Sequence, residues 1–237
     1  MKKIYFILLF TLPLFSQNYR ITYGKSNSST QEDLDKIKDI NVKNNIISIN
    51  QSFDQLEYEL LVNDKSAVFQ YVKKLKLPNF NSRAIIAGGG EGIHYYDQEM
   101  KNEIFEVEMS GKKHYIKSSI NKYKWAISNE TKVINDFVCY RANTMLPFDD
   151  FRGKGVIEVE VWFCPEFPLP YGPDIYFGLP GLVFEANQKN SKIKFYLKKI
   201  EKLEETQPIK IPNNKTITED DFTTIFNTEM KNLTDQN

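Results

Sequence analysis

The 237-residue chain has only two cysteines, two histidines and two tryptophans. His94 and His114 stand apart, with no histidine pair at helical spacing and no Cys-x-x-Cys. A zinc site of clustered nitrogen and sulfur ligands is therefore not expected, and each histidine reads as a strand residue with a satisfied ring. The Gly-x-Ser-x-Gly elbow of the α/β-hydrolases is missing as well. Gly88-Gly89-Gly90-Glu91-Gly92 has no Lys-Ser or Lys-Thr after it, and a strand follows rather than a helix. It reads as a flexible loop within residues 76–92, not as a phosphate cradle. Charge of one sign is lacking too, with 31 basic and 31 acidic residues. Phosphate binding wants a basic excess, so nucleic acid is not an expected partner. Past the N-terminus no apolar run approaches eighteen residues, so no transmembrane segment is expected. No cofactor is implied.

What is present begins with Lys2 and Lys3, a mostly apolar stretch from Ile4 to Phe15, and Ser16-Gln17. This is the pattern of a secretory signal peptide over residues 1–16, too short to span a bilayer comfortably. No cysteine follows it, so no lipid anchor is expected. Residues 17–237 then read as one exported domain of net charge −2, since 29 basic and 31 acidic residues are left. Seventeen Phe and thirteen Tyr favour pleated, half-buried surfaces. Strands are expected over 18–24, 56–62, 67–72, 93–100, 103–109, 114–118, 123–128, 132–145, 156–164, 182–188 and 192–202. The pattern also turns extended from Ile46. Short helices are expected from Thr30 to about Ile40 and from Glu219 to Lys231, each opened by Thr-x-x-Asp. Connections are too short for parallel crossovers. The fold class is mainly β and antiparallel: a strongly curved sheet or open barrel-like sandwich with a C-terminal covering helix.

The best-defined stretch runs from Tyr171 to Val183. Gly172-Pro173 makes one stiff bend, and Pro180-Gly181 has the composition of a type II turn with Gly181 at positive φ. Between them Tyr176 and Phe177 are too apolar for a solvated loop. The stretch reads as a fold-defining corner, with a binding lip as the alternative. Gly178-Leu179-Pro180-Gly181-Leu182-Val183 resembles the signature of the GLPGLI family, exported proteins of unknown function from Bacteroides-group bacteria. Trp125, the stretch Phe137 to Ala142, Trp162 and Gly172-Pro173 fit the landmarks of that family. Val183 replaces its final isoleucine, and Cys164 falls where another residue type is usual. The resemblance implies an exported protein and supplies no catalytic residues.

Cys139 and Cys164 are the two thiols of a chain expected to be exported, where disulfides persist. If Pro147 lies opposite Val156 across a strand pair, the same register sets Cys139 opposite Cys164. A bond there would add about 3.5 kcal/mol on the chain-entropy model, with two buried free thiols as the other reading. Glu158, Glu160 and Trp162 share one strand face, which suits either a solvated face or a polar cleft. No catalytic or metal-ligating residue is assigned. The leading functional expectation is non-enzymatic: binding of an apolar or peptide ligand, or support of an outer-membrane receptor. The alternatives are a hydrolase using a carboxylate or serine on the concave face, and a structural envelope partner.

Overall fold

The computed structural model describes residues 18–73, 78–89, 92–150 and 153–234, so the expected signal peptide lies outside the described residues. In chain order the elements are β1 (Tyr19–Asn27), α1 (Gln31–Asp35), α2 (Ile40–Phe53), β2 (Glu57–Val62), β3 (Ser66–Tyr71), α3 (Arg83–Gly88) and β4 (Ile93–Asp97). Then come β5 (Asn102–Met109), β6 (Lys112–Ser119), β7 (Ala126–Ile134), β8 (Phe137–Asp150), β9 (Gly153–Cys164), β10 (Leu182–Gln188), β11 (Ile193–Lys202) and α4 (Glu219–Thr234). The strands form one eleven-stranded antiparallel sheet, ordered β6-β5-β4-β3-β2-β1-β11-β10-β9-β8-β7, which does not close into a barrel. Two meanders thus run outward from a central seam where β1 pairs with β11.

The sheet is strongly curled, and α4 shows it. This helix packs against both β6 and β8, nine places apart in the sheet. Strands lie about 4.8 Å apart, so a flat sheet would hold these two roughly 43 Å from each other, several helix diameters. The residues on the inner side of the curl are the apolar ones. Tyr23 and Ile21 of β1, Tyr58 and Leu60 of β2, Phe69 of β3, Val159 and Val161 of β9, and Phe195 of β11 are all buried.

The trough is filled by the chain between β9 and β10. Leu169, Tyr171, Tyr176, Phe177 and Leu179 of this segment are buried. Phe177 meets Tyr96 and Tyr123, while Tyr176 meets Phe195. Polar ties fix the segment to both wings. Tyr96 Oη donates to Asp174 O at 3.2 Å and Trp125 Nε1 to Phe177 O at 2.9 Å, while Tyr23 Oη donates to Val183 O, just past the segment in β10, at 2.7 Å. Residues 165–181 are therefore a plug around which the sheet wraps.

The glycines of the plug are needed, but not for the turn expected. Gly181 is not in the left-handed region; the positive φ falls on Gly178, at +85°. Pro180-Gly181 is thus not a type II turn. A Cβ on Gly181 would stand 2.4 Å from Cys164 O and 2.9 Å from Pro165 Cα, and one on Gly172 would stand 2.0 Å from Tyr176 O. Real Cβ atoms do not approach backbone so closely, so close backbone approach selects glycine at both positions.

Other expectations also need correction. The chain from Ile46 is not extended: α2 runs on to Phe53. Asp39 caps it by accepting from the Asn41 and Val42 amides, and burial of Phe53 outweighs the weak helix preference of its β-branched residues. The loop expected over 76–92 holds the short helix α3, docked through buried Ala84 and Gly88. The strand expected over 132–145 is two strands, since Asn135 and Asp136 both take positive φ and turn β7 into β8. The two Thr-x-x-Asp starts are true capping boxes, at Thr30–Asp33 and Thr218–Asp221.

Candidate functional site

Curling the sheet without closing it leaves a groove of about 1320 Å³ under α4. One wall comes from β5 and β6, with Phe105 and Ile116; the other comes from β8, with Leu146 and Phe148. Phe222 and Phe226 of α4 face into it, because their four-residue spacing puts both on one side of the helix. Lys122 bonds Glu219 at 2.6 Å at the start of α4, and Asn227 Nδ2 donates to Asp149 O at 3.0 Å further along. Ser110 donates to Glu229 near the far end. Ahead of α4, Ile217 pairs with β6 through two backbone hydrogen bonds and covers that sheet edge.

The inner end of the groove is charged. Glu103 of β5 pairs with Tyr96, two positions along from His94 of β4, so His94 and Glu103 fall on the same face of the sheet and both side chains enter the trough. His94 Nδ1 donates to Glu103 Oε1 at 2.6 Å. His94 Nε2 lies 3.3 Å from Asp174 Oδ1, within ion-pair range but off the line of a hydrogen bond. Glu103 also accepts from Ser118 Oγ at 2.7 Å and Lys122 Nζ at 3.1 Å. Beyond Asp174 stands Lys25 of β1, its Nζ 3.2 Å from the centre of the Phe195 ring. Lys122, Glu103, His94, Asp174 and Lys25 thus alternate in charge across the trough.

Burial alone would lower the His94 pKa, but Asp174 and Glu103 outweigh it and raise it to about 9. Burial would raise Glu103, and His94, Lys122 and Ser118 instead hold it at about 2. Asp174 follows the same pattern: burial pushes upward, and His94 and Lys25 hold it below its usual value. Its side chain is still 25% exposed, so this carboxylate faces the groove. For Lys25 the balance is reversed, and burial brings its amine down to about 7 against the pull of Asp174. Among the described residues no group of three or more His, Cys, Asp or Glu is arranged to hold a metal ion.

The residues singled out in the sequence are divided differently. Tyr176, Phe177, Leu179, Leu182 and Val183 are buried in the plug and sheet. Only the neighbouring Asp174 and Ile175 line the groove. Gly172, Pro173 and Gly178 shape the plug, while Pro180 is exposed. Glu160 pairs with Arg141 at 2.7 Å and Glu158 with Lys189 at 2.7 Å, with Lys132 over the Trp162 ring at 4.4 Å. That strand face is ion-paired; Glu158 borders the groove, and Glu160 and Trp162 do not line it. Pro147 does pair with Val156, and the same register runs to Tyr140 against Phe163, one step short of Cys139 against Cys164. Both are buried free thiols in the structure, so the expected bond is not present. Burial and the neighbouring Cys164 push the Cys139 thiol up to about 12. The charge chain escaped the sequence reading because its members come from five separate segments. The one available signal was Asp174, a carboxylate inside an otherwise apolar double turn.

Residues 149–185 match a family described as "Protein of unknown function (Porph_ging)". Its function is unassigned. The Porph_ging stretch covers the end of β8, all of β9, the plug and the start of β10, which includes Asp174 and the Gly-Leu-Pro-Gly-Leu-Val run. No curated protein matches the chain. Among solved structures the fold is similar to PNGF-II in its C2 crystal form, with 14% identity and a TM-score of 0.53. That match covers 81% of this chain and 28% of the other. For the P21 form the values are 15%, 0.54, 89% and 33%. The chain spans a third or less of PNGF-II, and at this identity the likeness concerns the fold alone.

Proposed function

We propose that this is an exported, envelope-associated protein that binds an amphipathic ligand, an apolar or peptide body with a polar end, in the groove under α4. One observation carries the reading: apolar walls lead to a charged end at which Glu103, His94 and Asp174 stay charged near neutral pH. A general acid or base works best with a pKa near the ambient pH. Glu103 at about 2, His94 at about 9 and Asp174 below its usual value are far from that condition. Fixed charges can orient a ligand, and Phe105, Ile116, Leu146 and Phe222 can desolvate its body. The same facts weigh against the hydrolase alternative. No described helix is long and apolar enough to cross a membrane.

The fluorescence of N-phenyl-1-naphthylamine tests the reading. Its emission should rise saturably with the wild-type chain, and Phe222→Asp should weaken binding at least tenfold. Val133→Asp, at a 69% exposed position away from the groove, should leave binding unchanged. Equal binding by all three proteins would place the probe elsewhere and contradict the assignment.

Export would also expose the chain to oxidation, and we infer that Cys139 and Cys164 then join. Alkylation of protein taken from its own envelope, denatured without reductant, should add no alkyl group. Two groups added to the mature form would refute the bond.

A further inference from the structure

We propose that Lys25 and Asp174 form a second site, in which the Lys25 amine captures small aldehydes as an imine. Lys25 is 6% exposed, and its Nζ rests on the face of the Phe195 ring, 3.2 Å from the centre. Gly89 gives the site its shape. Its φ is +72°, and a Cβ built on it would lie 3.4 Å from Asp174 Oδ2 and 3.9 Å from Lys25 Nζ. Both are ordinary contact distances, so room for one carbon exists against the carboxylate and the amine together. Tyr58 Oη holds this backbone in place by donating to Gly89 O at 2.8 Å. The site does not depend on the groove reading, although Asp174 borders both.

The chemistry balances without a redox partner. The neutral amine adds to the aldehyde carbon, forming the C–N bond of a carbinolamine. The Asp174 carboxylate can take the proton from nitrogen and return it to the hydroxyl, which leaves as water to give the imine. A buried lysine with a depressed pKa is suited to such work. With its amine near 7, about half of Lys25 is neutral at pH 7, against about one part in 2,500 for an ordinary lysine. Even a hundredfold loss from restricted access leaves Lys25 roughly tenfold ahead. The titratable group acting on Lys25 is Asp174, and His94, Tyr58 and Tyr176 act on Asp174 in turn.

The test is brief exposure of the full native chain to formaldehyde and cyanoborohydride, with methylation of each lysine read by mass spectrometry. At pH 7 Lys25 should be labelled about tenfold faster than Lys154, whose side chain is 80% exposed. Its rate should level off above about pH 8, whereas that of Lys154 should keep rising towards pH 10. Gly89→Ala should suppress labelling of Lys25 alone. Should that variant fail to fold, blocking by pre-incubation with acetaldehyde, but not with bulky benzaldehyde, gives the same information on wild type. Lys25 labelled no faster than Lys154, or only in urea, would overturn the proposal.

Discussion

Gly181→Ala is expected to lower the unfolding free energy by about 3 kcal/mol, and Gly181→Val to leave little folded protein. The cause is steric. The added carbon meets the backbone of the Cys164–Pro165 peptide unit, which cannot swing away like a side chain tip. Overpacking commonly costs about 1–3 kcal/mol, and contacts below 3.0 Å with rigid backbone lie at the upper end. Gly172→Ala should be at least as severe, since Tyr176 O would be 2.0 Å away. At Gly111, a positive-φ glycine with nothing within 4 Å, alanine should cost only about 1 kcal/mol. Denaturant midpoints for the three variants check this ordering. A Gly181→Ala midpoint equal to wild type would mean the plug is not packed against β9 as described.

Glu103→Ala should cost about 3 kcal/mol, because it takes the buried carboxylate from His94 and Lys122 and leaves them only Asp174 and the more exposed Glu219. The pH dependence is more specific. Glu103 has a depressed folded pKa, so its stabilisation is complete above about pH 4.5 and is lost as pH falls towards 2. The shift corresponds to about 3 kcal/mol at about 1.4 kcal/mol per unit. His94 has a raised pKa, so its share is complete below about pH 6.5 and is lost as pH rises through 9. Lys25 works in the opposite sense. Between about pH 7 and 10.5 the unfolded chain holds the extra proton, and stability rises with pH. The two alkaline effects partly cancel in the wild type. Melting temperatures between pH 3 and 10 should therefore fall on the acid side and change little on the alkaline side. Glu103→Gln should flatten the acid limb, and Lys25→Met should reveal the alkaline loss due to His94. A Lys25→Met curve that matched wild type above pH 7 would contradict the assigned burial of that amine.

Much of the architecture was legible because period-two patterns and turn residues act locally. Asn63 to Ser66, Ser110-Gly111 and Lys189 to Ser191 each mark the hairpin turns found, and the threonine caps mark the starts of α1 and α4. The misreadings come from tertiary override. Ile46 to Ile49 have strand-forming side chains, yet Phe53 is buried only if the helix continues to it. Asn135-Asp136 went unread because no glycine marks that turn. The plug was visible as a landmark from its prolines and glycines, but its partners come from distant strands. That is also why the charged end of the groove could not be read: His94, Glu103 and Asp174 meet only once the sheet curls.

Native mass spectrometry of the full chain, purified from its own cell envelope without detergent exchange, tests the binding reading most directly. The account predicts a population carrying an extra small-molecule or peptide mass, released on mild activation and absent from Phe222→Asp prepared in the same way. A wild-type spectrum showing only bare protein, or an adduct equally abundant on Phe222→Asp, would contradict it.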